Sequence, residues 1–232
     1  MPSSPHYTLL EYFWRGGVCM WPLLACSIAG VAITLYKIWQ FVRISGDPEA
    51  LLARVEGRIR SGDQAGAAEA CLAARGPVAA IIHAGLSHVS QPRGTVQEAV
   101  QLAGLHELAA LESWLPALQT AGYVAPLLGF LGTVTGMIKA FFAVSERGLG
   151  DPTVVSAGIA EALITTATGL LIAVPVYAAY NYFVSRVGSH ALQMERASLH
   201  VVNLIADNGG AARGSDETWA HQAPERVGAP VS

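Results

Sequence analysis

Three stretches of this chain are apolar over the length of a bilayer-crossing helix, and the polar residues between them are patterned as further helices. The first stretch, 16–42, is apolar from Val18 to Ile33 and then mixed, with Lys37 and Gln40 near its end. About 20 apolar residues cross a bilayer core, and a long basic side chain near a helix end can snorkel to the interface. The second, 116–145, contains GFLGTVTGMIKAFF, and the third, 157–185, contains GIAEALITTATGLLIAVPVYAAYNYF. A polar turn at 146–156, with Gly148, Gly150 and Pro152, separates them. Between the first and second stretches, 43–115 reads as a soluble helical region. Glu49–Arg60 and Ala65–Ala74 have helical periodicity on either side of Ser61-Gly62-Asp63, as in a helical hairpin. A third helix covers Pro77–Val89, Gln91-Pro92-Arg93-Gly94 breaks it, and Thr95-x-x-Glu98 has capping-box spacing for the next. From Val96 to Val144 the only strong breakers are Pro116 and Pro126. Unbroken, that helix would reach roughly 70 Å, and the prolines are expected to kink it. Residues 186–206 continue as an amphipathic helix, and 207–232, rich in Gly, Ala, Pro and charge, read as a disordered tail. Residues 1–15 end in Tyr12, Phe13 and Trp14, which suit a membrane–water interface. The pattern predicts an all-α membrane protein: three transmembrane helices with long cytoplasmic helical extensions.

Composition agrees with a partly embedded chain. Charged residues make up 13% of the 232, against 52% hydrophobic, and mean hydropathy is +0.40. A net charge of −3 gives no footprint for nucleic acid. Cys19, Cys26 and Cys71 are far apart and read as small apolar packing residues. A cleaved signal peptide is disfavoured, because the basic n-region is thin, the apolar stretch is long and no A-x-A site follows. One helical hairpin resembles half of a tetratricopeptide unit, but one unit is not an array. Arg43, Arg54, Arg58, Arg60, Arg75 and Arg93 lie in the first loop, and Arg186, Arg196, Arg213 and Arg226 in the C-terminal part. The positive-inside rule then puts the C-terminus in the cytoplasm and the N-terminus outside.

Chemistry concentrates in the second and third stretches. On a helical wheel Gly129, Thr133, Gly136 and Ala140 share a narrow face, and Gly132 and Gly136 have small-xxx-small spacing. The glycines read as close helix packing. Thr133 either bonds its own backbone or faces a pore. Glu161 lies near the outer end of the third stretch, with Thr165 and Thr168 on its face and Thr166 pointing away. It reads as an interfacial group, a partner for Lys139, or a gate or proton-path carboxylate. Pro175 is expected to kink this helix, and Tyr177, Tyr180 and Tyr182 to mark its cytosolic interface. No P-loop, G-x-S-x-G or H-E-x-x-H motif occurs, so the chain does not read as an enzyme. His83, His88, His106, His190 and His200 are scattered over helical stretches and read as solvated or capping groups.

At these residues the chain resembles the ExbB/TolQ/MotA family of proton-channel subunits, on its ExbB and TolQ branch. GGVCMWPLLACS, APLLGFLGTVTGMIKAF and GIAEALITTATGLLIAVPVYAAYN resemble that branch's three span signatures in order, and the resemblance covers Gly16 to Ser198. The MotA branch has an additional span. Tyr36-Lys37 departs from the Glu-Arg that many ExbB-like members carry. The resemblance implies a homo-pentamer in the bacterial inner membrane around a single-span ExbD/TolR-type partner whose aspartate carries protons. It implies no cofactor beyond protons as coupling ion, and work passed to a TonB-type protein for outer-membrane transport. By motif, Thr133 and Thr166 are the pore threonines, Glu161 is the third-span glutamate, and Pro126, Pro175 and Asn181 are family positions. Wheel and motif differ here: the wheel pairs Glu161 with Thr165, the motif selects Thr166, and Thr165 is the second choice. A TolQ-like role in envelope integrity and division, and a non-conducting membrane scaffold, are the rival readings.

Overall fold

The computed structural model describes residues 9–44, 46–147 and 152–220, and every regular element among them is helical. The order is α1 (Leu9–Arg15), α2 (Met20–Arg43), α3 (Pro48–Arg60), α4 (Gln64–Ala73), α5 (Pro77–Ser87), α6 (Arg93–Glu112), α7 (Leu115–Arg147) and α8 (Pro152–Ala220). Three helical stretches, lying within Met20–Arg60, Arg93–Glu146 and Val155–Asp207, are long and apolar enough to cross a membrane. The chain packs as two compact units, Met1–Gln40 with Glu112–Arg186, and Phe41–Leu111 with Val187–Ser232.

The first unit holds the apolar bundle. Met20, Leu23, Ala125 and Ala173 form a buried cluster, with Phe13, Cys26, Leu128 and Ile172 packed against it. Outside this cluster the side chains stay large and apolar: Leu127, Phe130, Phe141, Leu163, Leu171 and Val174 are all exposed. A bundle that hides small residues and shows large ones suits a lipid or subunit environment, since backbone groups are satisfied within the helices. Lys37 does not snorkel. Its side chain is fully buried, and Nζ donates to Gln40 Oε1 at 2.8 Å. An amide oxygen one turn further along supplies an acceptor inside the bundle, which lowers the cost of burying the ammonium.

The expected long helix is broken. Residues 113 and 114 form a turn, with Trp114 in the left-handed region at φ 66°. In a continuous helix the Pro116 ring would strike the carbonyl of Glu112, four residues earlier, and α6 ends at that residue. Pro116 instead occupies the first turn of α7, where a missing N–H costs no bond. Pro126 and Pro175 lie inside α7 and α8 without ending either helix.

The second unit forms around the α3–α4 hairpin. Asp47 caps α3 by accepting from the amides of Glu49 at 3.0 Å and Ala50 at 3.3 Å. Asp63 caps α4 through the amide of Gly66 at 2.9 Å, and Gly62 takes the left-handed φ of 79° that the tight turn needs. Leu51, Val55, Ala67, Cys71, Ile81, Ile82, Val100, Met194 and Val201 are buried in this unit. The predicted capping box is not used as such. Helix α6 starts at Arg93, and the Pro92 carbonyl accepts from the amides of Thr95 at 2.9 Å and Val96 at 3.2 Å, which places Thr95 inside the first turn. Among the described residues, His190 stacks on Phe41 at 5.7 Å, His200 Nε2 lies 3.2 Å from Glu56 Oε2, and His88 Nδ1 lies 3.0 Å from the Ala84 carbonyl. Helix α8 extends past the predicted end at 206 to Ala220, and 221–232 of the predicted tail lie outside the described residues. Of the predicted polar turn at 146–156, residues 148–151 also lie outside them.

Candidate functional site

The site is built on the seam between α7 and α8, which run antiparallel. Ala125, Gly129, Gly132, Gly136 and Ala140 form one buried stripe on α7. Gly158, Ala162, Thr165 and Gly169 form the facing buried stripe on α8. A Cβ at Gly136 would lie 2.7 Å from the Gly158 carbonyl, and one at Gly169 would lie 2.6 Å from the Ala125 carbonyl. The backbones are therefore in contact, as small-residue stripes permit. The predicted wheel face is shifted by one residue at its centre: Gly132 is buried in the seam, and Thr133 stands half-buried beside it. Sequence reasoning selected Gly129, Gly132 and Gly136 but missed Gly158 and Gly169. Their spacing from Ala162 and Thr165 (158, 162, 165, 169) is the small-residue helical repeat that would have found them.

Each threonine has a defined bond. Thr133 Oγ1 donates to the Phe130 carbonyl at 2.6 Å, so at rest its proton is used on its own helix. Thr165 is completely buried, its hydroxyl within reach of the carbonyls of Ala162 at 2.9 Å and Glu161 at 3.0 Å. It fills the space a side chain at Gly132 would need. Thr166 is partly exposed, and its hydroxyl reaches across the seam to the Gly129 carbonyl at 3.0 Å, with Ala162 O at 3.2 Å as the alternative acceptor. Thr168 bonds the Ile164 carbonyl at 2.8 Å. A hydroxyl carries one proton, so Thr166 can trade the interhelical bond for the local one and still accept from a third group. Within this chain Thr165 is sealed in the seam, whereas Thr166 keeps an exposed side.

Glu161 sits further out on the same pair of helices. Its carboxylate Oε1 accepts from Lys139 Nζ at 2.5 Å, with the glutamate side chain 15% exposed and the lysine 55%. The pair lines an open cavity of about 630 Å³ with Arg15, Thr153 and Ser156. A charge-assisted bond to one oxygen leaves the other carboxylate oxygen able to accept a further hydrogen bond. Of the remaining predicted positions, Gly129 is buried, Pro126 half-buried, and Pro175 and Asn181 exposed. Pro175 lines a groove with Gly30, Thr34 and Val176, and Gly30 is needed because a Cβ there would lie 2.7 Å from Val176. Among the described residues no group of three His, Cys, Asp or Glu side chains could hold a metal ion.

An apolar bundle with three spanning-length helices, an ion pair near one end and hydroxyls along the α7–α8 seam defines a multi-pass membrane protein with polar groups spaced along an apolar helix pair. The chain belongs to the MotA/TolQ/ExbB proton channel family, whose model matches residues 73–196. Within that family it falls in the ExbB/TolQ branch. An ExbB homolog from Methanothermobacter thermautotrophicus is 31% identical over 192 residues, covering 81% of this chain and 67% of the relative. An ExbB-like protein from Synechocystis is 32% identical over 185 residues, covering 76% and 71%. The Tol-Pal system protein TolQ of Haemophilus influenzae is 42% identical over 97 residues, covering 42% of each chain.

Proposed function

We propose that this chain is the proton-conducting stator subunit of an inner-membrane motor. With a single-span ExbD-type partner it couples the proton motive force to TonB-dependent outer-membrane transport. The observation that carries the reading is the placement of Thr133, Thr166 and Glu161 on two tightly packed, otherwise apolar helices, in a chain of the ExbB/TolQ branch. Polar groups inside apolar spans are costly, and such groups mark ion pathways. In this reading five copies surround the partner, the N-terminus is periplasmic, the C-terminus is cytoplasmic, and protons are the coupling ion.

The chemistry follows from the hydroxyls. A threonine donates and accepts without charge, so it can hand a hydrogen bond to a passing carboxyl group without trapping a proton electrostatically. Protonating a partner carboxylate removes most of its desolvation cost in an apolar sector. One elementary charge crossing 100 mV releases about 2.3 kcal/mol, so substantial mechanical work needs several protons. The 42% identity to a TolQ favours a second reading, a TolQ-like subunit acting in envelope integrity and division.

The test is affinity purification of the tagged full-length chain from its native membrane with whatever accompanies it. Native mass spectrometry then gives the stoichiometry. Proton uptake is read in phosphatidylethanolamine/phosphatidylglycerol vesicles with trapped pyranine and a valinomycin-imposed potential. A five-to-two complex with a single-span protein, conducting in wild type and silent as Thr166→Ala, supports the stator. A homo-oligomer without partner whose Thr133→Ala and Thr166→Ala forms behave as wild type leaves a non-conducting scaffold. Outer-membrane leakage on deletion, with TonB-dependent uptake intact, selects the TolQ-like role.

A further inference from the structure

We propose that the turn joining α1 and α2 is a positioning element for Glu161: Gly17 makes room for the carboxylate and Lys139 holds it there. The functional side of this rests on the reading of Glu161 as part of the proton path.

Two observations from different elements meet at one carboxylate oxygen. Gly17 lies in the left-handed region at φ 68°, and a Cβ built on it would overlap Glu161 Oε1 and lie 2.8 Å from Cδ. Lys139, on α7, donates to the same Oε1 at 2.5 Å. The oxygen is therefore enclosed between the backbone of the α1–α2 turn and an ammonium group. Arg15, two residues before Gly17, lines the cavity into which the pair opens. The α1–α2 turn and α7 thus meet at one side chain of α8. A proton-carrying group acts only when held within hydrogen-bond reach of its exchange partner, so what fixes its rotamer controls its use. Gly17 contributes no functional group of its own. It acts by the side chain it lacks.

A double-mutant cycle isolates that contact. Gly17→Ala, Glu161→Ala and the double variant are compared in the purified full-length complex by thermal melting. The left-handed backbone disfavours alanine equally in both backgrounds, so that strain cancels and only the contact with the carboxylate differs. The expected result is a fall in melting temperature for Gly17→Ala that is smaller when Glu161 is alanine than when it is glutamate. Proton uptake should be lost in Lys139→Met and retained in Lys139→Arg, because the holding role needs a cationic donor within reach of the carboxylate. Equal effects of Gly17→Ala in both backgrounds, or equal loss in Lys139→Met and Lys139→Arg, overturn the proposal. Glu161→Gln separates the two layers. If it conducts as wild type while the cycle couples, the positioning stands and the proton-path reading falls. If it is silent while the cycle is additive, the proton-path reading stands and the positioning falls.

Discussion

Gly169→Ala, set against Gly188→Ala, tests whether the α7–α8 seam is held by backbone contact. Both glycines lie within α8, and both substitutions remove a flexible residue from a helix, which by itself favours the variant by roughly 0.5–1 kcal/mol. Only the surroundings differ. At Gly188 a new methyl meets nothing within 4 Å. At Gly169 it would lie 2.6 Å from the Ala125 carbonyl and 3.1 Å from the Gly129 Cα, both backbone atoms that cannot swing aside. Ordinary contact needs about 0.6 Å or more of extra separation there. Overpacking of this kind costs about 1–3 kcal/mol. The same separation stretches the 3.0 Å bond from Thr166 to the Gly129 carbonyl towards its limit, removing about 0.6 kcal/mol more. The clash therefore outweighs the propensity gain, with a net loss of about 0.6–3 kcal/mol, or roughly 1–12 °C for a chain of this size. Gly188→Ala should instead melt at or slightly above wild type. The assay is thermal melting of the detergent-solubilised complex at one fixed detergent and protein concentration. A Gly169→Ala protein that melts with Gly188→Ala would refute the argument that the two backbones touch.

Further outcomes follow from single contacts. Thr166→Val keeps the side-chain shape and removes the hydroxyl; it should cost about 0.6–1 kcal/mol in melting, while abolishing proton uptake in vesicles. Asp47→Ala leaves two first-turn amides of α3 without their side-chain acceptor, and should destabilise the second unit by about 1 kcal/mol, read by denaturant melting of the tryptic fragment pattern. Burial pushes the Cys71 thiol up from its ordinary 9.0 to about 11. The neutral thiol is thus favoured in the folded state, and its contribution to stability is complete below pH 9.0 and is lost as pH rises towards about 11. Cys71→Ser, measured across that window, should remove that part of the pH dependence. In wild type, alkylation of Cys71 at neutral pH should be slow until the protein unfolds.

Much of this fold is determined locally. Apolar runs of spanning length, Asp47 and Asp63 ahead of α3 and α4, and Ser61-Gly62-Asp63 between them carry their structural meaning within a few residues, so α2 to α5 lie close to where the pattern puts them. The break near Trp114 was also written locally, in Pro116, but whether a proline kinks a helix or ends it depends on whether the chain around it can tolerate a lost bond. Pro126 is accommodated inside α7, while α6 ends four residues before Pro116. The candidate site residues were legible as polar groups in apolar spans, and the pairing of Glu161 with Lys139 was among the open readings.

Tertiary structure decided which side of each helix those groups occupy. A wheel gives relative angles along one helix but not the direction of the neighbour, so it placed Thr133 in the face that Gly132 in fact fills. The same limit left Thr165 and Thr166 undecided until the approach of α7 buried one and left the other partly exposed. Gly17 and Glu161 are far apart in the chain, and nothing near either residue records that the missing side chain of one is the space for the carboxylate of the other. Lys37 was expected at an interface because its charge is a local property, whereas its burial against Gln40 depends on the packed bundle. By itself the sequence determined the helices, their apolar character and the polar residues they carry, because propensity and hydropathy act over a few turns. Only the packed chain decided which of those polar groups meet, because contact depends on the relative placement of helices distant in sequence.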